Sequence, residues 1–88
     1  MPWAYSFDAR ALRELQKLDR QAQREIVAYL DARIATKESP RRFGKPLRAD
    51  LAGLWRYRVN DYRLLCQIQD GRLLVLVVSV GHRKSIHQ

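Results

Sequence analysis

The chain is poor in the residues that build covalent or metal-held frameworks. Cys66 is the single cysteine among 88 residues, which excludes an internal disulfide and any multi-cysteine metal site. It sits in an apolar run and reads as a small buried hydrophobe. The two histidines, His82 and His87, give no metal-ligand spacing with it, so no cofactor is expected. Gly44, Gly53, Gly71 and Gly81 are too scattered to form a phosphate-binding loop. No Ser–His–Asp arrangement is suggested by spacing. The longest apolar run, Leu73 to Val80, falls far short of the ~20 residues that cross a bilayer, so no membrane association is expected. The first residues lack the basic and apolar regions of a signal peptide, and a cytoplasmic protein is the expectation. Internal repeats and low-complexity segments are absent from the sequence.

What is abundant is positive charge, and it is unevenly placed. Residues 1–40 hold seven Lys and Arg against six Asp and Glu. Residues 41–88 hold ten against three, so nearly all of the net charge of +8 belongs to the second half. A hydrophobic fraction of 47% supports a packed core rather than a disordered basic tail. At this length a single domain over 1–88 is expected. A basic cluster on a rigid element is suited to phosphate, which puts nucleic acid first among partners. A solubility role or an acidic protein partner is the plainer alternative.

Period and turn signals divide the chain. Trp3, Tyr5 and Phe7 alternate as in a half-buried strand. Asp8 is placed to cap a helix carrying Leu12, Leu15 and Leu18. Asp19 is placed to cap a second one, carrying Ala22, Ile26, Tyr29, Leu30 and Ile34. One helix bent at Asp19 is the rival reading. Residues 37–53 contain two prolines and two glycines and read as a long connection, anchored by Leu47 and Leu51. The remainder predicts a meander: strands over 54–59, 62–69 and 72–80, with Asn60-Asp61 and Asp70-Gly71 as two-residue turns. The fold class is therefore α+β, a small antiparallel sheet in the order β-α-α-β-β-β with both helices on one face.

The first hairpin fixes where side chains point. A two-residue turn sets Val59 opposite Tyr62 and Arg58 opposite Arg63. Alternation then sends Trp55, Tyr57, Val59, Tyr62, Leu64 and Cys66 to the helix side, and Arg56, Arg58 and Arg63 together to the other. Like charges directly opposite destabilise a sheet, so the cluster has no evident structural purpose. Separate solvation, or pairing with Asp50 or Asp61, is the alternative. The second hairpin predicts Leu74, Leu76 and Val78 beside Leu65 on the arginine face, so another segment or a partner should cover part of it. Trp3, Trp55 and the tyrosines are expected in the core rather than as base-stacking platforms.

These residues carry a resemblance. Phe7-Asp-Ala-Arg-Ala-Leu-Arg-Glu-Leu-Gln-Lys-Leu resembles the strand-to-helix entry of the RelE/ParE superfamily, specifically the RelE-type toxins of type II toxin–antitoxin pairs. Gly53-Leu-Trp-Arg-Tyr-Arg-Val-Asn-Asp-Tyr-Arg-Leu-Leu-Cys and Val77-Val-Ser-Val-Gly-His-Arg-Lys-Ser-Ile-His are similar to its later motifs, in the same order and over nearly the whole chain. The resemblance implies a metal-independent ribonuclease that cuts mRNA in the ribosomal A site, with contacts to 16S rRNA. It also implies inhibition by a RelB-like antitoxin in a hetero-oligomer. By position, Arg63 takes the place of the phosphate-stabilising arginine and Arg83 that of the second essential arginine, on the leaving-group side. Arg56 and Arg58 fall where some members carry RNA-holding lysines, and Lys45, His82 and Lys84 are further RNA-binding candidates. His87 stands where a tyrosine is common. The superfamily's ParE branch, which shares the fold and poisons DNA gyrase without nuclease activity, is the alternative function.

Metal-independent RNA cleavage has modest needs. The ribose 2′-OH attacks the adjacent phosphate; a base takes its proton, a cation stabilises the added charge, and an acid protonates the departing 5′-oxygen. Guanidinium suits the middle task because it grips phosphate oxygens in pairs and stays charged. It is a poor base at neutral pH. An imidazole, with an intrinsic pKa of ~6.5, can transfer the protons, and arginines nearby favour its neutral form. His87 is the candidate, with His82 the other imidazole. His82 precedes Arg83 and should point to the opposite side of a continuing strand.

Overall fold

The computed structural model describes residues 1–82. In chain order they form β1 (Ala4–Phe7), α1 (Ala9–Gln16), α2 (Arg20–Arg33), β2 (Lys45–Pro46), β3 (Trp55–Val59), β4 (Tyr62–Gln69) and β5 (Leu74–His82). The fold is α+β, as expected.

The helix starts follow from their caps. The Asp8 carboxylate accepts from Ala11 N at 2.8 Å, and the Asp19 carboxylate from Ala22 N at 2.8 Å. Each satisfies an orphan donor of the first turn, worth about 1 kcal/mol. With Asp19 committed to α2, the chain forms two helices rather than one bent one. Ala11 and Leu15 of α1, and Ala22, Ile26 and Leu30 of α2, are buried. All of these but Ala22 join Ile34, Tyr57, Val59, Leu64, Cys66, Val75, Val77 and Val80 in one core cluster. Trp3, Tyr5, Phe7, Tyr29, Trp55 and Tyr62 pack around it. Both helices therefore cover the same face of the sheet.

The sheet runs β1-β5-β4-β3-β2. All neighbours are antiparallel except β1, which adds to β5 in parallel from Ala4↔Leu74 to Phe7↔Val77. The sheet is thus mixed, with one strand more than the sequence reading expected. The extra strand is β2, two residues of the long connection that pair with β3, and β1 can lie parallel to β5 because the helical layer and the meander separate them in the chain. β5 lies inside the sheet between β1 and β4, which accounts for its apolar character on both faces.

The long connection is more structured than a loop. It contains one 3-10 turn at Pro40–Arg42, the two-residue β2, and another turn at Ala49–Leu51. Its anchor is not Leu47 or Leu51, which are only half-buried. Pro40 is fully buried, and its carbonyl accepts from the Tyr57 hydroxyl at 2.6 Å. Trp55 Nε1 donates to the Phe43 carbonyl at 2.8 Å, and Arg41 makes a two-pronged pair with Asp70 at 2.8 and 2.9 Å. Gly44 (φ +74°) lies so close to β3 that a Cβ there would stand 2.3 Å from the Arg56 carbonyl oxygen. Only glycine allows that approach.

The second hairpin departs from expectation. Asp70–Arg72 form a 3-10 turn and Leu73 takes a left-handed conformation (φ 49°). The loop therefore has four residues, pairing Gln69 with Leu74. Further along, a bulge between Leu65 and Cys66 pairing sets Cys66 opposite Val77 but Leu65 opposite Ser79. The extra residue resets the face parity, so Val77 and Val80 are both in the core. β1 ends opposite Val77, and among the described residues no strand covers the outer edge of β5 beyond it. Glu14 of α1 fills that role: its Oε1 accepts from Val80 N at 2.8 Å and from the Ser79 hydroxyl at 3.2 Å.

Candidate nucleic-acid interface

The face of the sheet away from the helices carries the basic row. β3 and β4 pair in the register expected from Asn60-Asp61, with Val59 opposite Tyr62 and Arg58 opposite Arg63. Arg56 lies opposite Leu65 on one side and opposite Lys45 of β2 on the other. Lys45, Arg56, Arg58 and Arg63 thus come from three adjacent strands onto one patch. Gly81 of β5 stands opposite Arg63 and places no side chain beside it.

The electrostatics confirm the crowding. The Arg56 guanidinium is held below the usual arginine value, first by burial and then by the charges of Arg58 and Arg63. Arg63 Nε is buried and meets no hydrogen-bond acceptor among the described residues. An unsatisfied buried donor costs about 1–3 kcal/mol, and an anionic oxygen would remove that cost. Among the described residues Asp50 forms no ion pair with Arg58 or Arg63; the described acidic partners of arginine are Glu14 for Arg10, Asp70 for Arg41 and Glu38 for Arg42.

Two shallow clefts open beside the row. One of about 240 Å³ is lined by Tyr29, Gly44, Lys45, Arg56 and Arg58, and wraps the edge of β3 that β2 is too short to cover. The other, of about 330 Å³, is lined by Lys45, Pro46, Leu47, Arg48 and Arg56. Sequence reasoning did not single out Arg48 or Tyr29 for this surface. Arg48 was visible as part of the basic excess in the second half; nothing in the sequence marked Tyr29, whose ring also contacts Tyr57 in the core.

His82 is not brought to the row. It pairs with Tyr62, its ring edge-on to the tyrosine ring at 5.7 Å between centroids, on the face opposite to that of Arg63. Arg83, Lys84 and His87 lie outside the described residues. Among the described residues no group of His, Cys, Asp and Glu could hold a metal ion, and no helix is long and apolar enough to cross a membrane.

A cradle of this kind, with guanidinium groups on a rigid sheet beside an open strand edge, suits a phosphodiester. The sequence matches the family described as ParE toxin of type II toxin–antitoxin system over residues 5–87. It is 35% identical over 88 residues to toxin RelG of Mycobacterium tuberculosis, covering 100% of this chain and 99% of that protein. It is 34% identical over 86 residues to the mRNA interferase toxin RelE of Escherichia coli K12, covering 96% of this chain and 86% of that protein. The fold superposes on the toxin–antitoxin complex RelBE2 of M. tuberculosis with a TM-score of 0.84 at 35% identity, over 94% of this chain and 93% of that one. For the intact E. coli RelBE complex the TM-score is 0.70 at 26% identity, over 91% and 95%. The chain belongs to the RelE/ParE superfamily of toxins of type II toxin–antitoxin systems.

Proposed function

We propose that the protein is the toxin of a type II pair that cleaves mRNA in the ribosomal A site without a metal, by attack of a ribose 2′-OH on the adjacent phosphate. The observation that carries this reading is the meeting of Lys45, Arg56, Arg58 and Arg63 on the open face, with the buried Arg63 Nε in need of an acceptor. Arg63 stabilises the charge that builds on phosphorus, because its planar fork matches two phosphate oxygens. Arg56, Arg58 and Lys45 hold the RNA backbone on either side. By resemblance to the family, Arg83 serves the leaving-group oxygen, with His87 the candidate for proton transfer and Lys84 a further backbone contact. The site works in the cytoplasm, where the ribosome supplies the substrate and 16S rRNA contacts.

The partner that restrains this activity is a RelB-like antitoxin, in a hetero-oligomer. Its chemistry follows from the surface: acidic enough to cover the arginine row, and apolar enough to cover the half-buried Leu74 and Leu76 on the same face. The named relatives are RelE-type, and two of the solved neighbours are RelB–RelE complexes, which favours the nuclease over the gyrase-poisoning branch. Mapping of transcript ends after brief induction tests the proposal. Wild type should yield new mRNA ends and Arg63→Ala and His87→Ala should not. Stable mRNA with an SOS response would overturn it in favour of the gyrase reading.

A further inference from the structure

A second cationic feature adjoins the row but belongs to the helical layer. At the end of α2 the Arg33 guanidinium is stacked over two rings, 5.5 Å from the Tyr29 centroid and 4.9 Å from the Phe43 centroid. Both distances are within cation–π range. Two nearby arginines are also stacked: Arg42 over Phe43 at 4.8 Å and Arg41 over Trp55 at 5.9 Å. Those two are neutralised, by Glu38 at 3.0 Å and by Asp70 at 2.8 Å. Arg33 has no acidic partner among the described residues, and the one carboxylate of its own turn, Asp31, accepts from the Tyr5 hydroxyl instead. Arg33 is thus an exposed cation whose plane is fixed by aromatic packing while its in-plane donors remain available.

Its position gives this a meaning. Tyr29, the ring beneath Arg33, also lines the cleft of about 240 Å³ that contains Arg56 and Arg58. The cleft therefore links the two faces of the molecule around the uncovered edge of β3, with guanidinium groups at one end and a ring bearing a guanidinium at the other. Positive charge set beside an aromatic ring in an open cleft is a pattern that holds single-stranded nucleic acid.

We propose that Arg33 and the Tyr29 cleft form a flanking-nucleotide subsite: an RNA strand held on Arg56, Arg58 and Arg63 passes around the open edge of β3, and its next phosphate meets Arg33. This rests on the reading that the arginine row binds RNA, and it extends the footprint beyond that row. The test is fluorescence anisotropy of the purified toxin with labelled 2′-O-methyl oligoribonucleotides, a dinucleotide and a hexanucleotide, over a series of salt concentrations. Arg33→Ala should weaken the hexanucleotide by roughly fivefold to tenfold, lower the salt slope by about 0.7, and leave the dinucleotide unchanged. Arg33→Lys, which keeps the charge but loses the stacked plane, should fall between. Hexanucleotide binding independent of residue 33 overturns the subsite. So does an Arg33→Glu variant that releases the antitoxin while RNA affinity stays as in wild type, which would assign the patch to a protein. Transcript mapping separates this from the parent reading: cleavage lost in Arg63→Ala sustains the nuclease whatever Arg33 does, and cleavage kept in Arg63→Ala removes it.

Discussion

The two faces of the β3–β4 hairpin are built from alternate residues of the same strands, yet they obey opposite rules. On one face Tyr57, Leu64 and Cys66 are fully buried against the helices. On the other, separated from them by single positions, Arg56, Arg58 and Arg63 crowd one another with like charge. The first face satisfies every preference of a sheet. The second works against one of them, since Arg58 and Arg63 stand directly opposite each other. A fold keeps such a pair without breaking because the buried face supplies the binding free energy of the hairpin. Stability and chemistry are thereby assigned to different sides of one ribbon, and substitutions should separate them.

The sharpest contrast is between neighbours in β4. Leu64→Ala should lower unfolding free energy by about 2–5 kcal/mol, since it leaves a cavity in the centre of the core; a urea titration measures this. Arg63→Ala, one residue earlier, should reduce mRNA cleavage by about 10²–10³-fold with the urea midpoint unchanged or raised, since a buried unpaired donor and a like-charge neighbour are both removed. A joint loss of activity and stability in Arg63→Ala would break the division between the faces. A smaller effect concerns alkaline pH. Burial, followed by the hydrogen bond to Asp31 and its charge, pushes Tyr5 up to about 12. A raised value means that the folded state favours the neutral phenol. Its contribution is complete below the unfolded value of ~10 and is lost as pH rises through about 12. Tyr5→Phe should flatten that part of the stability–pH curve, measured from urea midpoints across the alkaline range. The smallest effect belongs to Arg58, which is exposed. Arg58→Ala should leave stability within about 0.5 kcal/mol of wild type, with any gain largest at low salt, where repulsion from Arg63 is least screened.

How much of this was legible in the sequence depends on how local the cause was. Asp8 and Asp19 act within three residues, so both helix starts could be read directly. Asn60-Asp61 closes a two-residue turn, and that alone fixed the arginines on one face. Asp70-Gly71 carried an equally strong turn signal, but the chain used it in a 3-10 turn with Leu73 left-handed, because the strand register set by the core prevailed over the local preference. The bulge at Val78 leaves no trace in an apolar run where every residue type is alike. Glu14 looked like one more solvated helix charge, and its role as acceptor for Val80 N arises only when α1 lies across the unpaired end of β5. Arg33 stands four residues after Tyr29, a spacing that brings side chains together on a helix, but Phe43 arrives from a distant segment and no pattern announced it.

The added residue in β5 also bears on how this chain can vary. Ahead of the bulge, odd-numbered side chains (Val75 and Val77) enter the core, whereas after it the even-numbered Val80 does. Loss of Val78 would straighten the strand and still leave Val80 opposite Leu64 in the core, whereas one further residue beside it would put Val80 out of step with Leu64. Insertions should therefore accumulate in the 47–53 stretch, where such a frame of reference does not exist, and be purged from the last strand.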